Sequence, residues 1–129
     1  MSSPFGTFNG IEPFGMREGV SLRSVGGEQV LLCRVVYEPG SHVPLHAHEL
    51  TEQLMLIVDG EVTMTVEGET RTLRAGDTAV VNCGLEHELH SAEGCTFIEA
   101  LAPVPLDHVA DPARDLVLGP EGGAGHVER

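Results

Sequence analysis

Gly40-Ser-His-Val-Pro-Leu-His46-Ala-His48-Glu-Leu-Thr-Glu52-Gln53 is the stretch on which the reading of this chain turns. It lies among β-branched and apolar runs and reads as extended chain. Side chains two residues apart on a strand point to the same face, so the imidazoles of His46 and His48 converge. A metal ion needs that convergence. A folding core does not, because each buried ring then demands a hydrogen-bond partner. A third histidine, His87, follows two hairpins later. The competing reading is a pair of surface histidines on an edge strand.

Working outward, helical periodicity is almost absent, while strand and turn signals recur at short intervals. Residues 29–37 form a β-rich run closed by Glu38-Pro39-Gly40, and 42–48 form a second extended stretch in which Pro44 suggests an edge. Residues 53–58 and 61–66 meet across Asp59-Gly60, a two-residue link that predicts a hairpin. Glu67-Gly68-Glu69 turns the chain into 70–73, and Arg74-Ala75-Gly76-Asp77 turns it into 78–81. A loop through Asn82, Gly84 and Glu86 then delivers His87, and 95–101 is the last clear strand. About eight short strands imply an all-β antiparallel sandwich or barrel. Residues 1–28 read as an N-terminal arm packing on the barrel, with Phe5, Phe8 and Phe14 as anchors. Residues 29–102 are the barrel core, and 103–129 a C-terminal extension broken by prolines and partly mobile.

Length and composition bound the rest. A chain of 129 residues makes a single domain able to bury one core. Its 41% hydrophobic and 21% charged content is that of a globular protein. No apolar run reaches the roughly 20 residues of a spanning helix, and no leader pattern is seen, so a soluble, cytoplasmic protein without membrane contact is expected. The net charge of −13 repels phosphate backbones and disfavours nucleic acid as a partner. All seven basic residues are arginine, so no lysine amine is available for Schiff-base chemistry. Cys33, Cys83 and Cys95 are odd in number and far apart, which argues against disulfides and a thiolate zinc site. Cys83 lies close enough to His87 in sequence to face the same cavity.

At this point the chain resembles the cupins. Their first motif is glycine, five residues, His-x-His, three or four residues, an acidic or amide ligand, six residues and glycine. Here it reads Gly40, His46, His48, Gln53 and Gly60. The second motif reads Gly76-x5-Asn82-x-Gly84-x2-His87-x3-Ser91, with Asn82 and Ser91 in place of the usual proline and asparagine. The resemblance covers about residues 29–102 and implies a double-stranded β-helix, or jelly-roll barrel, forming a homodimer. It also implies one divalent metal held by His46, His48, Gln53 and His87. Counted back from Gly60, only Gln53 leaves six intervening residues, so Gln53 rather than Glu52 is the implied oxygen ligand. Zinc is favoured for three neutral imidazoles and a carbonyl oxygen, with nickel, iron, manganese or cobalt also suited.

Two further residues are candidates for proton transfer. His42 shares strand parity with Pro44, His46 and His48, and reads as a fifth ligand, a proton shuttle or a rim residue. Glu99 shares parity with Phe97 and Leu101; if they point inward, so does its carboxylate, as a general acid or base. If Thr96, Ile98 and Ala100 form the inward set, Glu99 is wet. His90 reads as exposed, and His108 and His126 in the tail carry no signal.

The glutamine and three histidines resemble two small-cupin groups. Cupins of the pectin-degradation type, which linearise unsaturated uronates, pair a carboxylate, a phenylalanine and an arginine after the last strand. Glu99 could replace the carboxylate here, but Leu101 and Pro105 stand where the aromatic and cationic residues are expected. Aromatic polyketide cyclases of cupin fold hold zinc through histidines and a glutamine. A pocket lined by Leu54 or Met55, Ile57, Val81 and Phe97 would suit them. The resemblance therefore implies non-redox Lewis-acid chemistry of cyclase or isomerase type on a small carbonyl substrate, with polyketide cyclisation the leading case. A metal-dependent dioxygenase and a non-catalytic ligand-binding or sensor module are the alternatives.

Overall fold

The computed structural model describes residues 3–104. Pro105, His108, His126 and nearly all of the expected C-terminal extension lie outside the described residues. Nine strands and one turn of 3₁₀ helix (Phe8–Gly10) are found among them. The strands are β1 (Phe14–Arg17), β2 (Val20–Gly26), β3 (Leu31–Tyr37), β4 (Ser41–His46), β5 (Glu52–Val66), β6 (Glu69–Arg74), β7 (Thr78–Val81), β8 (His87–Ser91) and β9 (Cys95–Ala102). No helix among the described residues is long and apolar enough to cross a membrane.

Every pairing is antiparallel. One side of the curled sheet runs β1-β2-β3-β9-β5-β7, and the other runs β6-β5-β8-β4. Strict alternation fills the interior. In β9, Cys95, Phe97, Glu99 and Leu101 are buried, and in β3 Leu31, Cys33, Val35 and Tyr37 are. The opposite parity puts Leu32, Leu54, Leu56, Val58 and Val80 on the outside, each at least 40% exposed. Leu54 is therefore excluded from the interior and Met55 takes the inward place.

The expected hairpin at Asp59-Gly60 does not form. β5 continues through it as a single 15-residue strand. Its first half pairs with β9 and β7, its second with β6 and β8, so one strand belongs to both sides of the barrel. Asp59-Gly60 is the corner between them, marked by a register shift after Ile57 and a Gly60 φ of +74°. A Cβ on Gly60 would run into the Gly94 carbonyl, so only glycine lets the strands close there. The positive φ that would suit a two-residue turn serves a bend instead, because each half of β5 finds its own pair of neighbours. The hairpin that does form is β5–β6, with Glu67 and Gly68 both at positive φ.

The N-terminal residues are more than an arm. β1 and β2 form a hairpin, and β2 pairs with β3 from Val20↔Tyr37 to Gly26↔Leu31. Val20 and Leu22 join the core, and Phe14 packs against it. Phe5, expected as an anchor, is 88% exposed.

Candidate metal centre

His46 ends β4 directly opposite His87, the first residue of β8. His48 follows in the connection to β5, where the Gly84 amide donates to its carbonyl at 2.8 Å. The three rings close on one another, with centroid separations of 4.1 Å for His46–His87, 5.1 Å for His46–His48 and 5.4 Å for His48–His87. One ring nitrogen from each lies within 4.8 Å of the others, and all three residues are buried. The rings of His46 and His48 therefore converge, and both residues are buried rather than on the surface.

Backbone carbonyls set the tautomers. His46 Nδ1 lies 2.8 Å from the Pro44 carbonyl and His87 Nδ1 lies 3.0 Å from that of Leu85. A carbonyl only accepts, so each Nδ1 carries a proton, and on a neutral ring that leaves Nε2 as the acceptor. Burial lowers the His87 pKa from its ordinary 6.5, against the opposing Leu85 hydrogen bond, and so keeps the ring neutral at pH 7. Neutral imidazole is the form a metal binds.

Gln53 is buried on β5 while Glu52 is exposed. The β5–β9 register pairs Gln53 with Leu101 and Met55 with Glu99, which makes Gln53 and Glu99 diagonal neighbours on the inner face. Gln53 Nε2 donates to Glu99 Oε2 at 2.7 Å. Glu99 points inward with Phe97 and Leu101 and is 4% exposed. Gln53 Oε1 and His87 Nε2 are buried with no hydrogen-bond partner among the described residues. Each such orphan costs about 1–3 kcal/mol if left unmet. A cation that accepts such a lone pair removes that cost, and the three histidine nitrogens, within 4.8 Å of one another, fit one, with Gln53 lining the cavity beside His46 and His48.

A cavity of about 30 Å³ is lined by His46, His48, Gln53 and Glu99, with Met16, Val35, Tyr37, Val43, Leu89 and Phe97 as its remaining wall. That space is enough for an ion or a water and little more. Sequence reasoning missed Tyr37, whose ring packs on Phe97 at 5.5 Å between centroids. Its alternation with Cys33 and Val35 on β3 was the available signal. Burial, then the nearby Glu99 and Cys95, push the Tyr37 pKa well above 10.0, with Arg17 opposing. Met16 was missed because β1 was read as part of an arm.

His42 is not brought to the cluster. Its register partner is His90, and its Nε2 lies 3.4 Å from Glu88 Oε2 on the outer surface, both side chains being more than 40% exposed. The parity that aligned His42 with His46 is broken by a register shift between Val43 and His46. Val43 and Pro44 are consecutive buried residues there, and Pro44 lacks the N–H a regular ladder would use. His90 is exposed, as expected, and Cys83 is also exposed, away from the cavity.

Known proteins resemble this chain in sequence and in fold. Polyketide synthase CurC from Streptomyces cyaneus is 27% identical over 111 residues, covering 77% of this chain and 71% of CurC. The oxalate-binding protein of Thermotoga maritima is 30% identical over 87 residues, covering 67% of this chain and 71% of that protein. Quercetin 2,3-dioxygenase from Bacillus subtilis is 38% identical over 89 residues, 58% of this chain but only 26% of the dioxygenase. Among solved structures, KdgF from a Halomonas species superposes with a TM-score of 0.77 at 22% identity, covering 84% of this chain and all of KdgF. The polyketide cyclase RemF from Streptomyces resistomycificus superposes with a TM-score of 0.71 at 16% identity, covering 80% of this chain and 81% of RemF. Residues 33–100, more than half of the chain, match the cupin domain model, and the protein belongs to the cupin family.

Proposed function

We propose that this cupin is a metal-dependent enzyme of cyclase or isomerase type, acting without redox change on a small carbonyl compound. The observation that carries this is the buried cluster of His46, His48 and His87, whose His87 Nε2 has no partner among the described residues, with the unpartnered Gln53 Oε1 on a residue lining the cavity beside His46 and His48. His46, His48, His87 and Gln53 would hold the ion. Zinc is favoured, because three neutral nitrogens and one neutral oxygen suit it and no redox step is required. When bound, the ion supplies Lewis-acid polarisation of a carbonyl oxygen.

The chain's own residues do the rest. The Glu99 carboxylate takes the proton from the carbon beside the carbonyl. Tyr37 keeps its hydroxyl proton at neutral pH and serves as a hydrogen-bond donor in the cavity wall. Val35, Leu89 and Phe97 form an apolar wall that excludes water from the reacting atoms. The volume of about 30 Å³ favours a substrate whose carbonyl alone enters while its body stays at the mouth.

Polyketide cyclisation is the leading case, supported by the likeness to CurC. The likeness to quercetin 2,3-dioxygenase supports a second reading, oxygenation of a small organic substrate. Turnover of a short poly-β-ketone probe with the zinc-loaded protein under anaerobic conditions separates them. Ring closure without oxygen, lost in Glu99→Gln, is the expected result. Oxygen uptake with an iron- or manganese-loaded protein would move the assignment to the dioxygenase. Binding without conversion under either condition would make the chain a ligand-binding module.

A further inference from the structure

The Gln53 side chain has a donor end and an acceptor end of nearly the same shape, so packing alone does not choose which end meets an ion. Hydrogen bonding chooses. Gln53 Nε2 lies 2.7 Å from Glu99 Oε2, on a carboxylate that meets it from the diagonal position of the neighbouring strand. With Nε2 taken up there, Oε1 is the end left over, and it is buried without a partner. Were the amide reversed, two acceptor oxygens would face each other, and an NH₂ group would be turned on the ion. Such a group offers no lone pair to a metal.

We infer that Glu99 is the positioning residue that makes Gln53 an oxygen ligand, by fixing the orientation of its amide. The inference rests on the metal reading proposed above. It differs from a plain charge effect, although Glu99 is also the only acidic residue among the described residues lining the cavity. A charge effect weakens cation binding whenever Glu99 is neutralised, whatever stands at position 53. A positioning effect depends on whether a donor remains between the two side chains.

That difference sets the experiment. Zinc affinity is measured by competition with a chromophoric chelator in the parent, Glu99→Gln, Gln53→Glu and the double variant carrying both changes. Circular dichroism of each zinc-free protein confirms folding. In the parent background, Glu99→Gln lets the two amides pair in either direction, and affinity falls about tenfold or more. In the Gln53→Glu background, the same Glu99→Gln change restores a donor between the two side chains, leaves a carboxylate oxygen for the ion, and raises affinity. A loss of equal size in both backgrounds, or no change in the parent background, overturns the inference and leaves the metal site standing. A parent chain that takes up no zinc overturns the metal reading and the inference with it. The parent alone gives a further reading should a variant fail to fold. The Gln53 side-chain NH₂ resonances stay protected from exchange when zinc is added, and their loss of protection overturns the assignment.

Discussion

The strands β4 and β8 carry two histidine pairs, one on each side of the same ladder. His46 and His87 are register partners facing inward; His42 and His90 are register partners facing outward. The inner rings lie 4.1 Å apart between centroids, the outer rings 6.4 Å. Residue type and strand are the same, so the difference lies in what surrounds the rings. Inside, Pro44 and Leu85 carbonyls hold Nδ1, burial keeps His87 neutral, and its Nε2 has no other partner among the described residues. Outside, His42 finds Glu88 and water. A ligand site is therefore made by the shell that fixes tautomer and removes solvent, more than by histidines being adjacent.

The largest expected effect breaks the inner pair. With zinc at about a thousandfold excess over its Kd, binding should stabilise the parent by about 4 kcal/mol. Elemental analysis should give close to one equivalent per chain. His87→Ala should lose both the metal and the zinc-dependent rise in Tm. A His87→Ala protein that still binds one equivalent through the outer pair would reverse the comparison.

Next in size is the corner that keeps the inner pair in register. β8 reaches His87 while paired to the second half of β5, where Val66 faces it, and that half begins just after Gly60. Gly60→Ala forces a side chain into positive φ and against the Gly94 carbonyl, and should cost at least about 2 kcal/mol. Gly68→Ala, at φ +86° with open space around it, should cost only about 1 kcal/mol. Chemical denaturation of the two variants measures both. Equal costs would mean that the closure at Gly60 carries no special load.

A smaller effect sharpens the contrast through pH. The folded His87 pKa lies below 6.5, so in the zinc-free protein the unfolded chain binds its proton first as pH falls. Stability is whole above 6.5 and declines below it, towards the folded-state pKa. Denaturation of the parent and His87→Ala, both with chelator, should show a steeper decline in the parent across that window. Parallel slopes would mean that His87 is not held neutral by burial.

Much of this was legible in the residues. Motif spacing pointed to His46, His48 and Gln53, and the structure buries all three; for Glu99 the sequence left two inward sets open, and the alternation of β9 selects the one with Phe97 and Leu101. Where reading failed, one residue changed the geometry without changing the composition. The shift between Val43 and His46 reverses the parity of His42, and nothing short of the register reveals it. Asp59-Gly60 offers the same dihedral freedom to a hairpin and to a bend. Only the partners available to each half of β5 decide between them, and those partners are distant in sequence.

The smallest expected effect concerns the outer pair. His42 Nε2 and Glu88 Oε2 make an exposed contact at 3.4 Å, and surface contacts between such groups contribute about 0–1 kcal/mol and weaken with salt. His90→Ala and His42→Ala should each change stability by no more than about 0.5 kcal/mol and leave the metal content at the parent value. A double-mutant cycle between His42 and Glu88, run at low and high salt, isolates their coupling. The coupling should fall towards zero at high salt, because water already serves both groups. If either histidine variant released the metal, the outer face would be supporting the inner site through the shared backbone of β4 and β8. The two pairs would then be one device, and the shell around the inner rings would extend through the sheet.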